Sequence, residues 1–300
     1  MNYLKIFLIG LCCIGFHSCD EDSFTQVVSL DIPEHVPKLS FSLEMSDIDT
    51  LIETFVSTSL DINADEDFPT ISDAVVNMFK SDELFASFTF NESTGRYESP
   101  AGPLLNDGAE YKFEVIHKKY GTATASQRIP DPVNFRNVEY FFDAAVGEFG
   151  QKLDVLSFIL EDDGSQENFY GFEIIVENKS SLDSNVLIWD IYFESSDPLF
   201  EYGSDDALLL SDEAFSGNEY PVRLNIPKFF VDTIFNSEVL VNLKVKNISR
   251  DNYLFQRSNL ISQQASDNPF VEPVIVHNNI ENGFGIFRAE AIKEEILILK

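Results

Sequence analysis

The chain has 300 residues, and its 51 Asp+Glu against 20 Lys+Arg give a formal net charge of −31. A surface this acidic repels phosphate, which excludes a nucleic-acid-binding function. Hydrophobic residues make up 44% of the chain, so a core can form and a disordered acidic chain is excluded. The 28 Phe and 10 Tyr against 3 Met favour strands over helical bundles.

The N-terminus carries an apolar segment at residues 6–16, directly after Lys5. It is shorter than the ~20 residues that a transmembrane helix needs, and it has the size of the apolar region of a signal peptide. The segment ends in Phe16-His17-Ser18-Cys19, and a small residue before a Cys at this position resembles a bacterial lipobox.

We therefore predict a lipoprotein signal peptide at 1–18, a lipid attachment site at Cys19 and an acidic tether at 19–37. The alternative is ordinary secretory cleavage near Ser18, which would leave a soluble protein with one free thiol. The acids at 20–22 resemble the surface-export signal of Bacteroidota lipoproteins. The alternative for these acids is a solvated linker.

Short segments of alternating polarity recur along the rest of the chain. A period of two predicts antiparallel sheets with one buried face. The predicted apolar faces run through Leu84–Phe90, Tyr111–Val115, Phe172–Val176, Leu187–Phe193 and Val239–Val245.

One segment has helical spacing. Ser249 is a candidate N-cap, Asp251 suits the positive end of the helix dipole, and the helix is predicted to run to Gln264. The sequence Glu161-Asp162-Asp163-Gly164 predicts a hairpin turn.

The Pro-Asp-Pro at 130–132 is the best candidate for a domain boundary. We predict an all-β protein of two antiparallel β-sandwich domains, an immunoglobulin-like domain at 38–132 and a larger β-sandwich with one helix at 133–300. Gly108 followed by Tyr111 predicts either a tyrosine corner or a simple glycine turn before a strand tyrosine.

The sequence contains no recognisable catalytic motif. His35, His117 and His277 each stand alone, which favours surface or core roles. The acids at Asp61–Asp67 have calcium-loop spacing, but Glu66 stands where an EF-hand needs Gly, so a solvated loop is favoured over a weak cation site. We predict no enzyme activity, no catalytic residue, no metal and no cofactor.

The C-terminal part carries a series of motifs: Asn268-Pro269-Phe270 before Pro273, then Asn278-Asn279-Ile280 and Gly283-Phe284-Gly285-Ile286-Phe287. Together with Gly95-Arg96-Tyr97, Asp107–Tyr111 and Arg128-Ile129-Pro130, their order and spacing resemble domain-of-unknown-function family 4249, a family of Bacteroidota envelope lipoproteins. Gly283 and Gly285 are interpreted as permitting a tight backbone before a closing strand rather than as binding a ligand.

Members of that family are often encoded beside TonB-dependent outer-membrane transporters, and the family has no established catalytic residues. The resemblance implies an outer-membrane lipoprotein, anchored by lipid and facing the cell exterior, that acts as a non-enzymatic accessory or binding subunit of such a transporter. The alternatives are a surface hydrolase acting on glycans or peptides and a structural or adhesive envelope protein.

Val239–Leu260 is the least acidic long stretch of the chain, and Asp251 is its single acidic residue. Four of its side chains are basic: Lys244, Lys246, Arg250 and Arg257. In so acidic a protein, the surface that binds a partner must either contain few acids or meet a basic surface of the partner. We therefore predict that these four residues face the partner. The alternative is that they offset neighbouring acids across the sheet.

Overall fold

A computed structural model describes residues 34–61, 64, 67–100, 104, 107–179, 186–227, 238–266 and 272–299. The predicted signal peptide, Cys19 and most of the tether lie outside these residues. The contact pattern groups Pro37–Lys300 into one compact unit.

The described residues form an all-β fold with one α-helix, which confirms the predicted fold class. The elements are β1 (Leu39–Ser46), β2 (Ile52–Thr58), β3 (Val75–Lys80), β4 (Glu83–Asn91), β5 (Arg96–Ser99), β6 (Tyr111–His117), β7 (Gly121–Gln127), β8 (Asn134–Val146), β9 (Lys152–Glu161), β10 (Phe169–Lys179), β11 (Val186–Asp190), β12 (Phe200–Tyr202), β13 (Leu208–Ser211), β14 (Glu219–Pro227), β15 (Glu238–Ile248), α1 (Arg250–Ser266) and β16 (Phe284–Leu299).

The strands belong to two sheets. The large sheet has the order β12-β13-β10-β15-β16-β1-β2-β5-β4-β3-β6-β7, with β11 beside β10, and the small sheet has the order β14-β9-β8. The last strand joins the two halves of the large sheet, because β16 pairs with β1 through Ser40↔Phe284 to Ser46↔Glu290 and with β15 through Ile248↔Glu290 to Val239↔Leu299. The β1–β16 pair is parallel, a departure from the antiparallel pattern that the alternation predicts.

Two large hydrophobic clusters fill most of the described interior, and a small third one, Phe169, Leu209, Ile248 and Tyr253, lies beside α1. The first contains buried residues between Leu39 and Ile129, together with Ile280, Phe287, Ala289 and Ala291. The second contains buried residues between Val133 and Val245. The cores therefore change at 130–132, but the large sheet continues from one half to the other through β16. The division into domains at 38–132 and 133–300 stays a prediction.

The predicted apolar side chains are buried in the strands that lie inside the large sheet rather than at its edge. The apolar faces predicted in β6, β10 and β15 are at most 7% exposed, since strands pair with them on both sides. Leu84 is 61% exposed, because it lies at the end of the β3–β4 hairpin, beyond a register shift. Beyond β11, Ile191 and Phe193 are buried outside any regular strand.

The helix is confirmed in place and extent. The Ser249 side chain accepts a hydrogen bond from the backbone N–H of Asn252 at 3.3 Å, as an N-cap does, and α1 begins at Arg250 with Asp251 in its first turn.

The hairpin predicted at Glu161–Gly164 is wrong, because β9 belongs to the small sheet and β10 to the large one. The segment after Glu161 instead crosses from the small sheet to the large one, and the Asp162 carboxylate holds it in place. The carboxylate accepts hydrogen bonds from the Tyr170 hydroxyl at 2.6 Å and from the backbone N–H of Gly217 at 2.6 Å. Burial, followed by the Asp162 carboxylate, raises the pKa of Tyr170.

Both elements of the Tyr111 motif are present. Gly108 has a φ of +75°, and Tyr111 begins β6 fully buried, with the Lys80 amine 5.3 Å from its ring centroid. A hydrogen bond between a tyrosine and upstream backbone is found at Tyr97, whose hydroxyl accepts a hydrogen bond from the backbone N–H of Ala74 at 2.8 Å. The tyrosine corner at Tyr111 stays a prediction.

Candidate functional site

The predicted basic residues of β15 lie on the outer face of the large sheet. Leu243 and Val245 point into the second core, so Lys244 and Lys246 point away from it. The Lys244 amine lies 3.2 Å from a Glu173 carboxylate oxygen of β10 and 3.7 Å from Glu294 of β16.

Lys246 occupies the centre of this face. Its amine lies 3.2 Å from Glu173 and 3.1 Å from Glu290. Burial lowers the pKa of Lys246, but the charges of Glu290 and Glu173 outweigh burial and leave the pKa raised. For Glu173, burial raises the pKa, and the two lysine amines outweigh it, so the net shift is downward.

Glu290 is the group in this cluster with the largest departure from its usual pKa. It is 4% exposed, and burial raises its pKa to about 7, against the opposing charge of Lys246 and together with the repulsion of Glu44. Glu44 itself pairs with Arg288 at 2.5 Å. This face thus holds a connected network of acids and bases from four adjacent strands, β10, β15, β16 and β1.

The two arginines predicted to face a partner lie on α1, a different element from the strand that holds the lysine pair. Arg250 lies 3.7 Å from Glu167, and both side chains are largely exposed. Arg257 lies 2.6 Å from Glu201 and 5.3 Å from the ring centroid of Tyr253. Each of the four bases therefore has an acidic neighbour, as the alternative interpretation expects, and their role towards a partner stays a prediction.

Two cavities open on the outer face of the sheet, with volumes of about 400 Å³ and 640 Å³. Glu44, Lys246 and Glu290 line both of them, so we treat the two as one groove, the charged groove. The smaller cavity is bordered by residues 190–193 and by α1, and the larger one by the β1–β2 loop.

A second exposed feature is the β8–β9 hairpin, which turns at residues 147–151. Its large apolar side chains are exposed, at 42% for Phe141, 52% for Phe142, 72% for Val146 and 89% for Phe149. We call these four side chains the aromatic hairpin. Most of β8 is exposed because it is an edge strand of the small sheet. The exposed hairpin was not among the predicted sites, although the dense Phe content of 141–149 is a sequence signal for it.

Two of the histidines have described contacts, and each contacts an acid. His117 lies 3.1 Å from Asp73 and stacks on Tyr120 with ring centroids 4.8 Å apart. His277 lies 2.7 Å from Asp251 in the first turn of α1.

The calcium-like loop at Asp61–Asp67 lies largely outside the described residues, so that alternative remains open. Within the part of the chain that the structure describes, no group of three or more His, Cys, Asp or Glu is arranged to hold a metal ion. No helix among the same residues is both long and apolar enough to cross a membrane.

A comparison with protein families matches residues 25–296 to a domain of unknown function (DUF4249). The chain belongs to the DUF4249 family. The DUF4249 match includes every residue that lines the charged groove and the whole aromatic hairpin, so both features lie within the family's domain. A comparison with curated proteins found no match.

Proposed function

We propose that the protein is a lipid-anchored outer-membrane protein, facing the cell exterior, that acts as a non-enzymatic accessory or binding subunit of a TonB-dependent transporter. The lipobox-like residues before Cys19 support the anchor, and the resemblance to envelope lipoproteins supports the location. The role rests on the aromatic hairpin more than on any other observation.

The aromatic hairpin favours binding over a purely structural role. Phe142 and Phe149 are more than half exposed in a chain whose net charge of −31 otherwise favours solvation. Large exposed apolar side chains are candidate interaction sites, and aromatic anchors contribute most of the binding energy in many interfaces.

Co-purification tests this proposal. The protein, tagged at its C-terminus, is purified from detergent-solubilised outer membranes, and the co-eluting proteins are identified by mass spectrometry. We expect a TonB-dependent transporter in near-stoichiometric amount. Elution of the protein alone would contradict the proposal.

A surface hydrolase is the second candidate, because the groove holds a carboxyl group whose pKa lies near neutrality. Glycoside hydrolysis uses such a group as general acid beside a second carboxylate. Glu290 and Glu173 both lie in the groove, but each is within 3.2 Å of the Lys246 amine, and Glu290 is 4% exposed. Both carboxylates are thus already paired with one amine, which favours the binding role.

A further inference from the structure

A third cavity, with a volume of about 420 Å³, is lined by residues from both halves of the large sheet. Its wall consists of residues 126–131 at the end of β7 and beyond it, residues 166–169 at the start of β10, residues 247–250 between β15 and α1, and Gly108 and Glu110. We call it the junction cavity. None of these residues belongs to the aromatic hairpin, so this cavity is separate from the surface on which the proposed function rests.

Two buried amide side chains of the wall point their nitrogen atoms into the protein. Gln127 is 8% exposed, and its Nε2 donates a hydrogen bond to an Asp251 carboxylate oxygen at 2.5 Å. Asn247 is 4% exposed, and its Nδ2 donates a hydrogen bond to the backbone carbonyl of Asp131 at 3.0 Å. These partners can only accept, so the orientation of both amides is fixed, and Gln127 Oε1 and Asn247 Oδ1 need donors from elsewhere.

The two amide oxygens open into the junction cavity. Neither receives a hydrogen bond from the described residues, and neither is sealed from solvent. Both side chains line the junction cavity, so the accessible oxygens face its interior. Because the polar groups of buried side chains are nearly always hydrogen-bonded, two such acceptors in one wall indicate that the occupant of the cavity donates hydrogen bonds.

The rim of the junction cavity supplies donors as well. The Arg128 guanidinium lies 3.9 Å from Glu110, and the Arg250 guanidinium lies 3.7 Å from Glu167. Both distances are longer than a hydrogen bond, so N–H groups of both arginines remain available to a ligand. The acids Glu110, Asp131 and Glu167 nearly balance these two bases, so the cavity favours neither a cation nor an anion.

The junction cavity offers a ligand little apolar contact. The apolar side chains Ile129, Phe169 and Ile248 of its wall are at most 5% exposed. The volume lies within the range of ~300–1,000 Å³ that is usual for small-molecule sites. The wall therefore suits a small, neutral ligand that is polar over most of its surface.

We propose that the junction cavity binds a small neutral polyol, a mono- or disaccharide. Its hydroxyl groups donate to Gln127 Oε1 and Asn247 Oδ1 and accept from the arginines of the rim. A hydroxyl group suits this mixed wall because it donates and accepts through one atom. The site goes beyond the proposed function and does not depend on the identity of the transporter.

Saturation-transfer difference NMR of the full-length protein tests the proposal, in a detergent whose headgroup is not a sugar. The probes are glucose, galactose, mannose and maltose at millimolar concentration. The permethylated form of each sugar is the control, because it keeps the oxygen acceptors and loses the hydroxyl donors. Acetyl-Gly-Gly-Gly-amide tests whether a peptide backbone binds instead. We expect at least one sugar to bind, and its permethylated form and the peptide not to bind.

Ser126→Trp places a large side chain in the cavity from an exposed position of β7, and Thr122→Trp is the matched control. Thr122 is also exposed and lies on the same face of β7, but it does not line the cavity. Calorimetric titration with the sugar that binds is expected to give at least tenfold weaker affinity for Ser126→Trp and unchanged affinity for Thr122→Trp.

Three results would overturn the proposal: no binding by any of the four sugars, equal binding of a permethylated sugar or the peptide, or unchanged affinity of Ser126→Trp. The first would mean that the junction cavity holds only water. If the transporter still co-purifies in that case, the proposed function stands without this site.

Discussion

Gly285 illustrates how one residue determines the contact between the first and last strands. It has a φ of +121°, and a Cβ built on it would lie 1.9 Å from the carbonyl oxygen of Phe41, its register partner in β1. Only glycine can occupy this position without moving β1. The close backbone approach supports the fold-specifying interpretation of the Gly283–Gly285 motif.

Gly285→Ala is therefore expected to lower the free energy of unfolding by roughly 2–5 kcal/mol, the sum of positive-φ strain and overpacking. Gly95→Ala is the control, because Gly95 has a φ of +68° but nothing within 4 Å of an added Cβ. Its expected loss is ~1–2 kcal/mol, from strain alone. Denaturant unfolding measures both, and equal losses would contradict the close approach.

Glu290 makes stability depend on pH. Burial raises its pKa in the folded protein to about 7, above the usual 4.5. Between these values the folded state binds more protons than the unfolded state, so the contribution of Glu290 to stability is present below pH 4.5 and is lost as the pH rises towards 7.

Glu290→Gln removes this dependence. We expect the melting temperature of the variant to match that of the unaltered protein near pH 5 and to exceed it at pH 8, since Gln remains neutral. Thermal unfolding at both pH values measures the difference, with Glu92→Gln, an exposed acid, as the control. A variant that is less stable than the unaltered protein at pH 8 would mean that the Lys246 pair outweighs burial.

At the scale of elements, β15 and α1 carry the bases that were predicted to face a partner, and the two elements differ in how those bases can be tested. Lys244 lies between Glu173 and Glu294, so its reversal to Glu would gather three carboxylates and destabilise the sheet. Arg250 and Arg257 lie on the helix and form exposed ion pairs with acids outside it. Each pair contributes under ~1 kcal/mol to the free energy of unfolding.

The double reversal Arg250→Glu with Arg257→Glu is therefore the cleaner test. We expect its melting temperature to stay within a few degrees of that of the unaltered protein, while recovery of the co-purified partner falls. The charge-matched control is Lys118→Glu with Lys119→Glu, two exposed bases in the β6–β7 turn. Unchanged recovery would mean that the helix arginines only offset their acidic neighbours.

Elements specified by local interactions can be predicted from the sequence, whereas pairing between strands far apart in the chain cannot. Tyr111–Val115 and Val239–Val245 show their burial in a local period of two, and Ser249 shows the start of α1 through its cap. The parallel β1–β16 pair has no local signal, because its strands lie at opposite ends of the chain.

The same reason limits what the sequence predicts of the charged groove. Lys244 and Lys246 are recognisable as bases in an acid-poor stretch. Their acidic partners Glu173 and Glu290 lie on separate strands of the sheet, and the register that brings them within 3.2 Å forms only in the folded protein. The raised pKa of Glu290 is likewise a product of burial and has no sequence signal.

At the scale of the whole molecule, the proposed lipid attachment at Cys19 would hold the proposed binding surfaces at the membrane. Acyl chains contribute ~0.8 kcal/mol per buried CH₂, and more than one chain makes attachment durable. Cys19→Ala is expected to release the protein from membranes or to leave it unprocessed, whereas Cys12→Ala and Cys13→Ala should remain anchored. Membrane fractionation measures this, and normal retention of the Cys19 variant would contradict the lipoprotein prediction.

The measurement that tests the central claim most directly is quantitative co-purification with an altered aromatic hairpin. Phe142→Ser with Phe149→Ser removes two exposed rings, and Phe68→Ser, which removes a ring that is 63% exposed elsewhere, is the control. We predict that the unaltered protein and the control recover a TonB-dependent transporter from solubilised outer membranes, and that the double variant recovers at least tenfold less at an unchanged melting temperature. Equal recovery by all three proteins, or no transporter with the unaltered protein, would contradict the account.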